Sequence, residues 1–200
     1  MFTGIVESLG EVITTRKEGT NLVISVQSSL APELKIDQSV AHNGVCLTVT
    51  AIQENSYEIV AVAETLQKTN LGQLAPGQKV NLERAMAFNG RIDGHLVQGH
   101  VDSVGECISK TAQDGSWLYR FRFPTAFAAL VVEKGSLCVN GVSLTVFDVT
   151  HNECSVAIIP YTYQHTNLSA ISAGSTVNLE FDILGKYVQR QLQVTALHPA

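Results

Sequence analysis

Charge is scarce in this chain: Asp, Glu, Lys and Arg make up 16% of its 200 residues, and the 18 acidic residues outnumber the 13 basic ones. No basic run interleaved with aromatics is present, so the electrostatic footprint of a nucleic-acid surface is missing. Long apolar runs are lacking as well. AFAALVV at 126–132 falls far short of the roughly 20 residues needed to cross a bilayer. The opening MFTGIVESLGEV has neither the positive flank nor the apolar core of a signal peptide. The expectation is a cytoplasmic protein that binds neither membrane nor nucleic acid. Cysteine pairing is absent too. Cys46, Cys107, Cys138 and Cys154 form no CxxC motif and read as free thiols, small core fillers in a reducing compartment. The chain has no GxGxxG, no GxxxxGK[ST] and no GxSxG, which removes the usual nucleotide-fold and hydrolase signatures. His95 and His100 have no carboxylate or thiol at ligand spacing, so no metal is expected.

What is present is a repeat. NGVCLTVT at 43–50 returns as NGVSLTVF at 140–147, with six of eight residues identical and a shift of 97. ETLQKTNLG at 64–72 returns as YTYQHTNLS at 161–169, and GQKVNLE at 77–83 as GSTVNLE at 174–180, at the same shift. Chance identity is roughly one in fifteen per position, so three ordered blocks at one offset require duplication. The starts of the halves also match, FTGIVESLGEV at 2–12 against VQGHVDSVGEC at 97–107, at a shift of 95. Two compact domains follow, 1–87 and 95–183, joined by AFNGRIDGHL, with a tail at 184–200.

The texture inside each copy is β. VCLTVTAI, SYEIVAV and QKVNLERA are rich in β-branched residues, and the turn signals ENS, APGQ, HNE and SAGS interrupt them at short spacing. Several short strands per unit predict a small closed barrel or sandwich, an all-β fold in which closure removes exposed edges. SSLAPELK and PTAFAALVVEK are expected to supply one short helix per copy. The tail DILGKYVQRQLQVTAL breaks the pattern. Leu184, Val188, Leu192 and Ala196 recur at i, i+4 with Tyr187 beside them, an apolar stripe on a helix. That stripe packs either on the chain's own barrels or on another subunit.

Positions that differ between the copies show where symmetry was broken. Cys46 stands opposite Ser143, and Ile5 opposite His100. The second copy therefore carries a hydroxyl and an imidazole where the first has a thiol and an aliphatic group. Each has an ordinary structural alternative: a satisfied strand hydroxyl, an inert buried thiol, a hydrogen-bonded imidazole.

The opening MFTGIVE, NGVCLTVT, TNLGQL with VNLERA, GHLVQGHVD, and NGVSLTV followed by FDILGKY resemble the riboflavin synthase family along nearly the whole chain. The resemblance implies two tandem six-stranded Greek-key β-barrels and a C-terminal helix that gathers three subunits into a homotrimer. It implies a transferase that needs no metal or external cofactor. Two molecules of 6,7-dimethyl-8-ribityllumazine would meet in one active site and dismutate to riboflavin and 5-amino-6-ribitylaminouracil. The site would lie between the N-terminal barrel of one subunit and the C-terminal barrel of a neighbour, with association with lumazine synthase left open. Carried over residue by residue, one pocket would use Gly4, Ile5, Val6, Cys46, Leu47, Thr48, Val60, Ala61, Val62, Ala63, Glu64 and Thr65. The other would use Gly99, His100, Val101, Lys134, Ser143, Leu144, Thr145, Ala157, Ile158, Ile159, Pro160, Tyr161 and Thr162. Ser143 and His100 are the expected catalytic groups, assisted by Thr145, Cys46 and Asp182, and Phe2 is expected to pack on a bound ring. The family usually shows Asp-Gly where this chain has Asn140-Gly141. An amide takes no proton at neutral pH, so an orienting role is expected there, as for Asn43. The rival reading is a non-catalytic lumazine- or flavin-binding relative of the fluorescent antenna type.

Overall fold

The computed structural model describes residues 1–197. Twelve strands carry the fold. The first six are β1 (Ser8–Glu18), β2 (Asn21–Gln27), β3 (Ser39–His42), β4 (Val45–Gln53), β5 (Ser56–Ala61) and β6 (Lys79–Arg84). They close into an antiparallel barrel in the order β1-β2-β5-β4-β3-β6, a Greek-key path. The second set is β7 (Ser103–Gln113), β8 (Ser116–Arg122), β9 (Ser136–Val139), β10 (Val142–Thr145), β11 (Glu153–Ile158) and β12 (Thr176–Phe181). It repeats the same neighbour order, except that β10 and β11 meet only through the bridge Phe147↔Ser155.

Alternation explains which residues face in. In β4, Val45, Leu47 and Val49 are buried while Thr48 and Thr50 are exposed. In β10, Val142 and Leu144 are buried and Thr145 is exposed. A strand turns successive side chains to opposite faces, so the inward set of each barrel becomes its core. The N-terminal core gathers Val12, Ile24, Tyr57, Ile59, Leu71 and Leu82, and the C-terminal core gathers Tyr119, Phe121, Leu137, Val156, Leu168 and Leu179. Each such side chain contributes about 1.5–3 kcal/mol by leaving water.

The repeated Asn-Gly pairs are hairpin turns. Asn43 and Gly44 have φ of 48° and 79°, and Asn140 and Gly141 have 47° and 81°. Positive φ at both central residues marks the type I′ turn, which asparagine and glycine adopt at least cost. The two turns meet back to back: a Cβ on Gly44 would lie 2.8 Å from the Gly141 nitrogen. Four bonds tie the turns, one pair within each barrel and one pair across the contact. Asn43 Oδ1 accepts from Asn81 N at 2.9 Å, and Asn140 Oδ1 from Asn178 N at 2.8 Å. Asn81 Nδ2 donates to the Asn140 carbonyl at 2.8 Å, and Asn178 Nδ2 to the Asn43 carbonyl at 2.9 Å. The seam is thus a pseudo-twofold axis.

Two local expectations need correction. SSLAPELK and PTAFAALVVEK form only 3₁₀ turns, at Ala31–Glu33 and Thr125–Leu130. The short α-helices lie elsewhere, at α1 (Ala63–Lys68) and α2 (Pro160–His165), just after β5 and β11. The tail is helical, α3 (Ile183–Leu197). Its first turn meets the C-terminal barrel through Gly185 beside Leu130 and through Lys186, whose Nζ lies 2.6 Å from Asp102. Leu184, Tyr187, Val188 and Leu192 are 60–72% exposed, so the stripe is not covered by the chain's own barrels.

Candidate active site

Each barrel is preceded by a short strap, Phe2–Val6 or Val97–Val101. Phe2 and Val97 pair antiparallel, with Phe2 N donating to Val97 O at 2.7 Å. From that bridge the straps cross to the opposite barrel. Gly4 O accepts from Ser143 N at 2.8 Å, and Gly99 O accepts from Cys46 N at 2.9 Å. Val6 packs on the C-terminal core and Val101 on the N-terminal core. Both strap glycines have positive φ, 76° and 79°, and a Cβ on either would stand 2.6 Å from the Cβ of Ser143 or Cys46. Only glycine lets the strap lie this close to the strand.

This exchange corrects the pockets expected from the sequence. Gly4, Ile5 and Val6 belong with Ser143, and Gly99, His100 and Val101 belong with Cys46. The reason is the pseudo-twofold seam, which hands each leading segment to the partner barrel.

Around Cys46 a cavity of about 270 Å³ is bounded by Glu64, Thr65, Lys68, Gly99, His100 and Val101. The Cys46 side chain is half-buried and His100 is exposed at the rim. Val60 and Val62 point outward from the end of β5, and Ala63 and Glu64 open α1 beside them. Leu47 and Ala61 are buried inside the barrel, so their side chains face the core and not a ligand.

Around Ser143 the partners differ. Its Oγ lies 2.7 Å from His95 Nδ1, and His95 N donates to Thr3 O at 3.1 Å. Burial pulls His95 below the ordinary imidazole pKa, and the Asp182 carboxylate pulls the other way. A lowered pKa keeps the ring neutral near pH 7, able to accept the serine proton. Asp182 also caps α3, its Oδ1 accepting from Leu184 N at 3.0 Å. Ile5, Thr145, Ala157, Ile159, Pro160 and Tyr161 are exposed around this region, with Thr162 half-buried. Leu144 and Ile158 face the core, as Leu47 and Ala61 do in the other barrel.

Three further placements differ from expectation. His100 lies in the Cys46 pocket, and His95 takes the position beside Ser143. In the sequence His95 suggests only a metal ligand; having no counterpart in the first copy, it lies outside the repeat. Phe2 is fully buried with Ala41, Val97 and Cys138 in the seam, out of reach of a bound ring. Lys134 sits at a turn with φ 63°, its ammonium 4.8 Å from the centre of the Phe147 ring, and no bond ties it to Ser143. Asn140 serves the backbone of the seam: besides Asn178 N, its Oδ1 accepts from Asn70 Nδ2 at 3.2 Å. Among the described residues no group of three or more His, Cys, Asp or Glu is placed to hold a metal ion.

The Lumazine binding domain family matches the chain twice, over residues 3–85 and 98–182. Riboflavin synthase of Actinobacillus pleuropneumoniae is 42% identical over 193 residues, covering 96% of this chain and 90% of that protein. The chain belongs to the riboflavin synthase family. Riboflavin synthase of Bacillus subtilis is 39% identical over 193 residues with the same coverage. Among solved structures, LumP complexed with riboflavin superposes with a TM-score of 0.85 at 21% identity, over 90% of this chain and 99% of that one. LumP complexed with 6,7-dimethyl-8-(1'-D-ribityl)lumazine gives 0.83 at 20% identity. Those two likenesses establish the double-barrel fold. The riboflavin synthase family thus supplies the frame within which the two strap-covered sites are read.

Proposed function

We propose that the chain is a riboflavin synthase. It takes two molecules of 6,7-dimethyl-8-ribityllumazine, moves a four-carbon unit from one to the other, and releases riboflavin and 5-amino-6-ribitylaminouracil. The observation that carries this reading is the pair of strap-covered sites related by one pseudo-twofold axis yet furnished differently, Cys46 with His100 beside a cavity in one and Ser143 hydrogen-bonded to His95 in the other. Similar frames suit two copies of one heterocycle; different side chains suit a donor and an acceptor. Relatives named riboflavin synthase, similar over nearly their whole length, support the same reading.

The chemistry asks little of the protein beyond placement. The 7-methyl protons of the lumazine are acidic because the ring delocalises the resulting anion, so a neutral imidazole or an activated hydroxyl suffices as base. His95 receives the Ser143 proton at Nδ1, which readies Oγ for proton abstraction or for addition to the ring. Asp182 stabilises the imidazolium that forms. Thr48, Thr65, Thr145 and Thr162 offer hydroxyls for the ribityl chain, and strand-end backbone groups read the ring edge. Stacking two rings converts a bimolecular encounter into an effectively unimolecular step.

The pockets that face each other come from neighbouring chains, in a cytoplasmic homotrimer held by α3. The exposed stripe Leu184, Tyr187, Val188 and Leu192 supports this, as do the exposed apolar rims Ile5, Val62, Ile159 and Tyr161. A lumazine synthase shell is the partner such a trimer would meet. The test is to mix the purified protein with the lumazine and follow absorbance. Riboflavin formation is expected. A shifted spectrum without product would make the chain a binder of the antenna type, and an unchanged spectrum would remove both readings.

A further inference from the structure

The strand β6 carries one charged residue among buried neighbours, Glu83, and β12 carries its equivalent, Glu180. Both side chains are nearly inaccessible to water. Among the described residues, neither forms an ion pair with Lys or Arg. A buried carboxylate without a cation must be satisfied by hydrogen bonds, and here every bond comes from a strap. Glu83 Oε1 accepts from Thr3 N at 2.6 Å and Thr3 Oγ1 at 2.9 Å, and Oε2 accepts from Gly4 N at 3.0 Å. Glu180 Oε1 accepts from Gln98 N at 2.6 Å, and Oε2 accepts from Gly99 N and His100 N at 2.9 Å each.

The next link in each strap reaches the reactive strand. Gly4 is held at its nitrogen by Glu83 and bonds Ser143 N through its carbonyl. Gly99 is held by Glu180 and bonds Cys46 N in the same way. We infer that Glu83 and Glu180 are crossed positioning residues: Glu83, on the N-terminal barrel, sets the Ser143 pocket of the C-terminal barrel, and Glu180, on the C-terminal barrel, sets the Cys46 and His100 pocket of the N-terminal one. The symmetry is broken at one bond. Glu180 holds the amide of His100 itself, whereas Glu83 spends its third bond on the Thr3 hydroxyl. Burial raises the pKa of both carboxyls; the strap N–H groups pull it back down, helped by the Thr3 hydroxyl at Glu83 and by the Lys186 charge near Glu180.

This inference rests on the pockets assigned above, but its first test needs no turnover. Amide hydrogen exchange is read at Cys46 and Ser143 in the full chain. Glu180→Gln places an NH2 against amide donors, and protection at Cys46 is expected to fall about tenfold or more while Ser143 stays within about threefold. Glu83→Gln is expected to do the reverse. Glu180→Asp and Glu83→Asp keep the charge one methylene short and should give the same crossed pattern at smaller amplitude, even where a Gln variant fails to fold. On the lumazine, kcat of each Gln variant is expected to drop about a hundredfold, with KM moving less than about tenfold. Equal loss of protection at both amides, or loss confined to the strand of the mutated barrel, would overturn the inference. So would kcat within about threefold of the parent in both variants. A parent chain that makes no riboflavin yet shows the crossed exchange would instead remove the functional reading and leave the positioning role standing.

Discussion

Substituting Gly4 by alanine isolates the claim that strap contact sets the Ser143 geometry. The new Cβ would lie 2.6 Å from Ser143 Cβ and 2.8 Å from its nitrogen. Ordinary carbon contacts begin near ~3.5 Å, so the strap must retreat by about 1 Å. Such a movement stretches the 2.8 Å bond from Ser143 N to Gly4 O past useful length. The lost bond costs about 1 kcal/mol, and alanine at a φ of 76° adds about 1–2 kcal/mol. Together these leave a fold of ordinary stability, about 5–15 kcal/mol, intact. Turnover is different, because a displacement of about 1 Å at a reacting group costs on the order of a hundredfold. The assay pairs thermal unfolding with riboflavin formation. Gly77→Ala is the control, since Gly77 also has positive φ, 87°, but nothing within 4 Å of its would-be Cβ. Gly4→Ala is expected to remain folded and lose about a hundredfold in kcat, while Gly77→Ala loses stability alone. Equal turnover in the two variants would refute the reasoning.

Other predictions follow from single groups. His42 is fully buried, its Nε2 2.7 Å from the Tyr57 hydroxyl, and burial pulls its pKa from 6.5 to about 3. The unfolded chain takes up that proton first, so stability should fall as pH drops from 6.5 toward 3, by on the order of 5 kcal/mol in all. Urea titrations at several pH values should show this slope, and His42→Leu with Tyr57→Phe should flatten it; a parent without the slope contradicts the burial account. Asn140→Asp should bring no gain in turnover, because the side-chain oxygen already serves Asn178 and Asn70. A hundredfold gain would show that a carboxylate base had been missing. Leu192→Asp places a charge on the exposed stripe and should dissociate the proposed trimer in sedimentation with loss of turnover; an assembly unchanged by the substitution would move the interface elsewhere.

The duplication was readable because three blocks keep one offset, and the offset alone delivered two similar domains and the pairing of Cys46 with Ser143; the choice of barrel over sandwich came only with the family resemblance. The crossing of the straps was not readable in that way. A repeat says that residues 2–6 and 97–101 are equivalent, but not which barrel each covers, since both choices satisfy the same symmetry. Strand parity could have removed Leu47, Leu144, Ala61 and Ile158 from the pocket walls, because each lies one residue from an outward position. Phe2 misled for a related reason: an N-terminal aromatic beside a reactive motif suits a ring-stacking role, yet the seam needed an apolar plug. The signal for Glu83 and Glu180 was present in VNLE, a carboxylate kept twice in a buried stretch of strand. His95 left no such signal, having no repeat partner.

The account turns on whether facing pockets belong to different chains. On the proposed assembly, His100→Ala damages only the N-terminal site and Ser143→Ala only the C-terminal one, so each variant alone should be nearly inactive. Co-refolding the two at equal amounts should restore turnover to about a quarter of the parent value, the fraction of interfaces that pair two intact pockets. A mixture as inactive as its components would place both reacting molecules within one chain and contradict the account.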